Sequence, residues 1–577
     1  MFKLYKDFEA FIGKDKGKLR KTILLSIVES FLNISKIIAI YIVLKGILEG
    51  NIKVSLIGQA FLIMAIAMVF IIISKAKSTM LQTEIGYDVA ATKRMDIGDH
   101  LKYVPMGYFS KKSLGQITSI ATNTCNNFQE VATLVLIQFT SGLTLSLIMT
   151  LLLLNFNLKI GFVCIGAMIY FFIIISMINK KGEKLSGKKI ESDGRLVEKT
   201  LEYVQGMQIV KSFNLKNDTS SEYMKEIERN RRINTSLEKT YIPLMFLLSF
   251  GIRLLAILIM YLSIRFFIDG SMPIYESIVM IIASFLLFSH LETAGMFVAF
   301  FKMLRFSMNQ IKEIEEIPVM DIDGQNIKPK HFNIEFKNVD FSYENEKVIK
   351  NVSFKIKENT TTAIVGPSGG GKTTITMLLA RFWDVDSGAI TIDGRDIRDY
   401  KLDALWDQIS VVFQDVYLFN DTIANNIKFG SPEKSREEVI EAAKKAHCYE
   451  FIMKLENGFD TIIGEGGSSL SGGEAQRISF ARAIMKDAPI IILDEATANI
   501  DPENENLVQN AIEELTKSKT VIMIAHRLKT VENADQIIVL NQGKIEALGT
   551  HKELMEQKGL YQDFVNMREK TIGWKIA

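Results

Sequence analysis

The sequence predicts a multi-domain membrane protein in which an all-α domain of six transmembrane helices precedes an α/β domain with a phosphate-binding loop. Six stretches of roughly 20 apolar residues lie before residue 310, and a glycine-rich loop follows residue 365. In addition, 48% of the 577 residues are hydrophobic, more than a soluble enzyme of this size needs. We expect a membrane domain over residues 1–317, a linker over 318–331 and the α/β domain over 332–577.

The apolar stretches are separated by gaps of two kinds. The gaps after the second and fourth stretches are long and polar. Lys and Arg residues are concentrated in these two gaps and in the N-terminal tail. By the positive-inside rule, the tail, both long gaps and the α/β domain are cytoplasmic. The first stretch is long and contains Glu29 and Lys36, so we do not interpret it as a cleaved signal peptide. The six stretches are 22–44, 56–73, 134–154, 160–178, 241–267 and 274–289.

The glycine-rich loop reads Gly-Pro-Ser-Gly-Gly-Gly-Lys-Thr over residues 366–373 and fits the pattern Gly-x-x-x-x-Gly-Lys-[Ser/Thr]. Glycines let successive backbone N–H groups surround phosphate oxygens at the start of a helix. In this pattern Lys372 reaches the β and γ phosphates, and Thr373 ligates magnesium. The predicted phosphate-binding residues are Gly366, Pro367, Ser368, Gly369, Gly370, Gly371, Lys372, Thr373 and Thr374.

Two adjacent carboxylates follow an apolar run at residues 490–493. Such a run predicts a buried parallel strand, which delivers the side chains after it to the carboxyl edge of the sheet, where ligands bind. We expect Asp494 to hold magnesium through water and Glu495 to polarise the water that attacks the γ-phosphate.

The run Leu-Ser-Gly-Gly-Glu-Ala-Gln at residues 470–476, between the loop and this strand, is similar to the signature of the ATP-binding cassette (ABC) family. The resemblance implies that Ser471, Gly472 and Gly473 contact the γ-phosphate of a nucleotide held by an opposite cassette. A helix N-terminus attracts anions, so this placement is chemically reasonable.

The resemblance assigns roles to four further residues. Tyr343 falls where an aromatic ring stacks on adenine, and Gln414 where a glutamine contacts magnesium and the attacking water. His526 falls where a histidine bonds the γ-phosphate, and Asp501 closes a turn near the site. With Glu495 and His526 both present, the resemblance implies a catalytic set of Glu495, His526 and Gln414, and a cassette that hydrolyses ATP with Mg²⁺.

The arrangement of six spans and a C-terminal cassette resembles the exporter-type fold of this family, in which membrane helices continue into the cytoplasm. The resemblance implies a short cross-helix in each long gap that docks on a cassette. Residues 104–109 and 201–211 are the two candidates, and a plain helix kink is the alternative at each.

Two features predict a dimer with a second half-transporter, identical or paralogous. Six helices are too few to enclose a translocation path, and Ser471 needs a nucleotide on another cassette. We expect two ATP molecules to clamp the cassettes together and hydrolysis to release them.

Polar residues within the spans are candidates for the substrate path. Glu29, Asn33 and Lys36 lie on one face of the first helix, where a network among themselves is the alternative to substrate contact. Arg253 in the fifth span is a weaker candidate.

The default interpretation is ATP-driven export of a hydrophobic or amphipathic small molecule. Strings such as 380–388 and 412–419 look like the branch of the family with iron–siderophore importers, so siderophore import is the alternative. A channel or regulator gated by the cassette is a second alternative, which an intact Glu495 argues against. A net charge of +2 gives no reason to expect nucleic acid binding. The composition looks bacterial, which predicts a multi-pass protein of the inner membrane.

Overall fold

The structure, a computed structural model, describes most of the chain, and two compact units are distinguished in it. The first unit comprises Met1–Lys102 and Phe109–Pro318, and the second comprises Tyr103–Tyr108 and Val319–Ala577. The described residues are 2–50, 53–111, 114–129, 133–213, 222–320, 324–343, 346–464, 470–494, 502–524 and 531–572.

The helices before residue 320 form an all-α arrangement. In the described residues, six segments are long and apolar enough to cross a membrane, which confirms the six predicted spans. These segments are Tyr5–Leu48, Val54–Lys102, Leu134–Phe156, Leu158–Ile178, Glu222–Ile268 and Ile274–Phe297. The α-helices are α1 (Phe2–Ile12), α2 (Lys16–Asn33), α3 (Ser35–Leu48), α4 (Val54–Lys102), α5 (Met106–Lys111), α6 (Leu114–Ser119), α7 (Cys125–Asn127), α8 (Thr133–Phe156), α9 (Leu158–Gln205), α10 (Met207–Ser212), α11 (Glu222–Ile268) and α12 (Ile274–Glu315).

The three longest of these helices far exceed the thickness of a bilayer. Helices α4, α9 and α11 have 49, 48 and 47 residues. At 1.5 Å per residue each is about 70 Å long, whereas the hydrocarbon core is about 30 Å thick. Each helix therefore continues well beyond its apolar half, as the exporter-type resemblance implies.

The core of the membrane unit follows helical periodicity. On α8, Leu145, Met149 and Leu153 recur every four residues and are fully buried, whereas Leu147 and Leu151 on the opposite side are exposed. Apolar residues cover both sides because one side packs on other helices and the other suits lipid.

The second unit is α/β and contains two sheets. The β-strands are β1 (Ile334–Tyr343), β2 (Glu346–Ile356), β3 (Thr361–Val365), β4 (Ser387–Ile392), β5 (Arg395–Asp396), β6 (Ile409–Val412), β7 (Ile490–Asp494), β8 (Thr520–Ile524), β9 (Gln536–Asn541) and β10 (Lys544–Gly549). The α-helices are α13 (Lys372–Leu379), α14 (Leu402–Trp406), α15 (Ile423–Lys428), α16 (Arg436–Lys445), α17 (Tyr449–Lys454), α18 (Gly472–Lys486), α19 (Pro502–Thr516), α20 (His551–Glu556) and α21 (Leu560–Ile572).

The larger sheet has the strand order β10-β9-β3-β8-β7-β6, and the smaller antiparallel sheet has the order β2-β1-β4-β5. Strands β9, β3, β8, β7 and β6 are parallel, while β10 pairs antiparallel with β9. Every residue of β7 and β8 is buried, as expected for apolar strands of a parallel sheet covered on both faces. The carboxyl ends of these parallel strands therefore share one edge, where the candidate site lies.

Candidate functional site

The phosphate-binding loop connects the central strand β3 to helix α13. Strand β3 ends at Val365 between its neighbours β8 and β9, and α13 begins at Lys372. The loop thus lies at the carboxyl edge of the sheet and opens a helix, whose first amides have no partner within the helix. This is the strand-loop-helix context that the pattern requires to bind phosphate.

Two glycines of the loop occupy positions where a side chain would collide. Gly366 has φ 149°, and a Cβ there would lie 2.0 Å from the carbonyl oxygen of Leu540 on β9. Gly371 has φ 96°, and a Cβ there would lie 2.8 Å from a methyl carbon of Ile349. These backbone conformations and close approaches explain why the loop needs glycine at both ends.

Lys372 lies inside the curve of the loop. Its side chain is largely buried, with 6% of the residue exposed, and its ammonium group donates to the carbonyl oxygens of Gly366 at 3.1 Å and Pro367 at 3.0 Å. These bonds hold a full positive charge where the loop amides converge, so that charge and amides can act on the same phosphate oxygens.

Thr373 and Asp494 bring two oxygen ligands together from different elements. The Thr373 hydroxyl on α13 donates to Asp494 Oδ1 at the end of β7 over 3.4 Å. Asp494 is buried, with 5% of the residue exposed. Mg²⁺ binds oxygen ligands at about 2.1 Å, so two oxygens at this separation fit its coordination shell directly or through one water.

Tyr343 ends strand β1 with its ring partly exposed. The ring makes edge-to-face contacts with Phe341, at a centroid distance of 4.8 Å, and with Trp383, at 5.3 Å. These contacts fix the ring orientation and leave one part of its surface free for stacking.

Gln414 follows β6, the neighbour of β7 in the sheet, and it is exposed. Since β6 and β7 are parallel, Gln414 and Asp494 leave the sheet at the same edge. The role of Gln414 toward magnesium and water remains a prediction.

Ser471 is the N-cap of α18. Its hydroxyl accepts from the Glu474 amide at 3.3 Å and donates to the Glu474 carboxylate at 2.8 Å, while the Ser471 amide donates to the same carboxylate. This reciprocal capping box fixes the start of the helix. Ser471 and Gly472 are exposed and Gly473 is buried, so the helix start is available to a second molecule.

Glu495, Asp501 and His526 lie outside the described residues, and their roles remain predictions. The strands before two of them are described: β7 ends at Asp494 and β8 at Ile524, on adjacent parallel strands. The chain therefore enters both segments from the edge that carries the phosphate loop.

The first predicted cross-helix segment, Tyr103–Tyr108, belongs to the second unit. The Tyr103 ring stacks on Trp406 at a centroid distance of 6.4 Å, and its hydroxyl donates to Asp403 Oδ2 at 2.7 Å. The Met106 amide donates to the carbonyl of Phe382 at 3.1 Å. A short helix, α5, begins at Met106, so this segment is more than a kink.

The second predicted cross-helix begins where α9 ends. Gly206 separates α9 from the six-residue helix α10, none of whose residues is buried. Val204, Ile209 and Phe213 are large apolar residues exposed in this region.

The polar residues of the first span bond to one another. Helix α2 ends at Asn33 and α3 begins at Ser35. The Asn33 side chain donates to the carbonyl of Glu29 at 2.9 Å and accepts from Lys36 Nζ at 2.8 Å. This is the internal network that the sequence left open as the alternative, and it spans the break from the last turn of α2 to the first turn of α3.

Arg253 pairs with a residue that the sequence reasoning did not single out. Its Nη2 donates to Glu292 Oε1 on α12 at 3.3 Å. The predicted sixth span stopped at residue 289, whereas the apolar helix continues to Phe297, so Glu292 fell outside the predicted span. Continuing the helical apolar pattern of the sixth span through Leu291, Ala294 and Phe297, at spacings of three residues, could have included Glu292 in the span.

The membrane unit also contains a cavity of about 770 Å³. Its wall includes a π-helical turn, Ile120–Thr124, a feature that is frequent at functional sites. Polar and aromatic side chains both line it, among them Gln116, Asn123, Arg195, Tyr241, Phe300 and Gln310.

Comparisons with known proteins cover both units. A family sequence model described as "ABC transporter" matches residues 349–498, and one described as "ABC transporter transmembrane region" matches residues 19–291.

Three curated relatives match through most of their length, and each is named an ATP-dependent lipid A-core flippase. The protein of Haemophilus influenzae strain 86-028NP is 34% identical over 511 residues, which cover 83% of either chain. That of Haemophilus ducreyi is 35% identical, also with 83% of either chain covered. That of Desulfotalea psychrophila is 34% identical over 84% of this chain and 85% of its own.

A solved structure described as a bacterial Atm1-family ABC exporter with ATP bound shares the fold. The TM-score is 0.87 with 25% sequence identity, and the match covers 96% of this chain and 98% of the other.

Proposed function

Because this chain belongs to the ABC transporter family and is an ATPase coupled to membrane transport, we propose that two copies of it export a lipid-like amphiphile from the cytoplasmic side of the bacterial inner membrane. The observation that carries the proposal is the match to flippases along 83% of either chain, which spans the membrane unit as well as the cassette. A match confined to the cassette would support ATP hydrolysis but no class of substrate.

The cassette residues have different roles in binding and hydrolysing ATP. The loop amides and Lys372 bind the phosphates, and Tyr343 offers a ring for the adenine. Thr373 and Asp494 are the residues that would hold Mg²⁺, which supplies charge neutralisation at the β and γ phosphates. Glu495 would polarise the attacking water, and Gln414 would contact Mg²⁺ and that water.

The position of Ser471 supports a dimer. The exposed start of α18 offers the first backbone amides of the helix to an anion, which is the role that the family resemblance gives it toward the ATP of a second copy. ATP bound between two cassettes draws them together, and hydrolysis lets them separate.

Motion reaches the membrane helices through segment Tyr103–Tyr108. This segment continues directly from α4 and is held by Phe382, Asp403 and Trp406. Since Phe382 follows α13, which starts at the phosphate loop, a shift of that helix on ATP binding displaces the segment.

Neither the relatives nor the solved structure described above are named as siderophore importers, so that alternative has no support from them. The residues that suggested it lie in the cassette and say nothing about the substrate.

ATPase measurements on the purified chain in lipid nanodiscs test the proposal. We expect lipid-like amphiphiles to stimulate hydrolysis severalfold and an iron-loaded siderophore to have no effect, with Lys372→Ala as the inactive control. Stimulation by the siderophore alone would favour import and contradict the proposal.

A further inference from the structure

An ion pair joins α11 and α12 within the membrane unit. Glu292 Oε1 accepts from the Ser249 hydroxyl at 2.5 Å and from Arg253 Nη2 at 3.3 Å. The Arg253 side chain is 73% exposed and that of Glu292 27%. Ser249 and Arg253 lie four residues apart on α11, so they face α12 together.

Both charged residues lie deep within their spans. Arg253 precedes the end of α11 at Ile268 by fifteen residues, and Glu292 follows the start of α12 at Ile274 by eighteen. At 1.5 Å per residue these distances are about 23 Å and 27 Å from the short loop that joins the two helices. Since the hydrocarbon core is about 30 Å thick, the pair lies at membrane depth on the cytoplasmic side.

An exposed arginine at this depth does not face hydrocarbon, because the cost of burying the charge in lipid is several kcal/mol. We therefore place it on a water-filled path. A guanidinium group has five N–H donors, and among the described residues one hydrogen bond of Arg253 is seen, to Glu292. Its side chain is 73% exposed, so it can also reach an anion in that path.

The surface beside Arg253 on α11 is apolar. Phe246 and Phe250, seven and three residues earlier, and Ile257, four residues later, are exposed on the same side of the helix. The two Phe rings stack at a centroid distance of 5.7 Å. A cation flanked by exposed aromatic and aliphatic side chains suits a molecule with an anionic head and an apolar tail.

From this arrangement we infer that Arg253 binds the phosphate or carboxylate head of an anionic amphiphile, and that Glu292 is the internal competitor that the head displaces. Ser249 gives Glu292 a second partner, so Glu292 is not left unpaired when Arg253 turns to the substrate. Release of the substrate restores the pair. The inference rests on the proposed function and names its substrate class.

The role of Arg253 is tested by measuring ATPase stimulation in phosphatidylcholine nanodiscs. Three amphiphiles of similar tail length are compared: a short-chain phosphatidic acid, a fatty acid and a quaternary ammonium amphiphile. We expect the two anions to stimulate the wild type at lower concentration than the cation. The phosphatidic acid and the fatty acid distinguish a phosphate head from a carboxylate head.

Two substitutions shift this response in opposite directions. Arg253→Gln raises the half-maximal anion concentration about tenfold, as loss of a hydrogen bond to a charged group predicts, whereas Arg253→Lys retains the preference. Glu292→Gln removes the competitor and lowers the half-maximal anion concentration about tenfold. Arg253→Gln should leave the response to the cationic amphiphile unchanged. Glu276→Gln, in the first turn of α12, is the matched control and should leave the response to all three amphiphiles unchanged.

Three results would overturn the inference. They are an unchanged anion response in Arg253→Gln and Glu292→Gln, a preference of the wild type for the cation, and loss of the dimer in Arg253→Gln, which would assign this face to contact between two copies. If Arg253→Gln does not fold, Glu292→Gln decides alone. Absence of stimulation by all three amphiphiles would instead contradict the proposed function itself.

Discussion

The ATP site and the membrane ion pair are built in different ways. The phosphate loop is one continuous run from Gly366 to Thr373, and its geometry is set by backbone conformation and by the strand and helix at its ends. The ion pair joins Arg253 and Glu292, which are 39 residues apart on two helices. A site made from consecutive residues can be recognised in the sequence. A site made by helix packing depends on how each helix is rotated and aligned against its neighbour, which a sequence motif does not specify.

The largest expected effect concerns hydrolysis. Glu495→Gln should lower ATPase activity by about a thousandfold, because it removes the carboxylate that polarises the attacking water. ATP binding should persist and trap a closed dimer, which size-exclusion chromatography with ATP will detect. Turnover at the wild-type rate would remove Glu495 from its predicted role.

Lys372→Ala should weaken nucleotide binding and lower activity with it. Loss of a charged hydrogen-bond donor at the phosphates costs about 3 kcal/mol, or about a hundredfold in affinity. Binding of a fluorescent ATP analogue measures this directly, with Lys355→Ala on β2, whose side chain is 75% exposed, as a surface control. An unchanged dissociation constant would contradict the loop assignment.

Gly366→Ala tests the backbone geometry of the phosphate loop through its effect on stability, without removing a group that binds phosphate. A Cβ at Gly366 meets the Leu540 carbonyl at 2.0 Å in addition to the strain of φ 149°, whereas Gly394, with φ 76°, has nothing within 4 Å. We expect Gly366→Ala to cost about 3 kcal/mol of cassette stability and Gly394→Ala about 1 kcal/mol. Thermal denaturation of both variants compares them, and equal melting temperatures would mean that the close approach is unimportant.

A smaller effect is expected at segment Tyr103–Tyr108 of the second unit. Tyr103→Phe keeps the ring stack on Trp406 but removes the hydrogen bond to Asp403. Basal ATPase activity should remain near wild type, while stimulation by substrate falls a fewfold. Asp403→Asn, which keeps an acceptor oxygen, should have a milder effect. Equal stimulation in wild type and Tyr103→Phe would show that this bond does not transmit the signal.

Much of the fold could be predicted because its signals are local. Runs of apolar residues long enough to span a bilayer gave six membrane segments, and apolar strands followed by a glycine-rich loop or by carboxylates gave the α/β cassette. The predicted proximity of Thr373 and Asp494 needed only the rule that parallel strands share a carboxyl edge.

The remaining features depend on tertiary structure. The break between Asn33 and Ser35 has no Pro or Gly to mark it, and the bond from Asn33 to Lys36 could not be chosen from helix spacing alone. Glu292 was missed because a carboxylate near the end of an apolar run is usually interpreted as the boundary of a membrane span. Only the packing of α11 on α12 gives it Ser249 and Arg253 as partners.

The most direct test of ATP-driven export follows a labelled lipid in proteoliposomes whose cassettes face outward. Chemical quenching of the label in the outer leaflet reports how much lipid remains on the cassette side. The account predicts that ATP moves labelled lipid away from that side in the wild type and not in Lys372→Ala. Movement toward the cassette side, or active hydrolysis with no lipid movement, would contradict it.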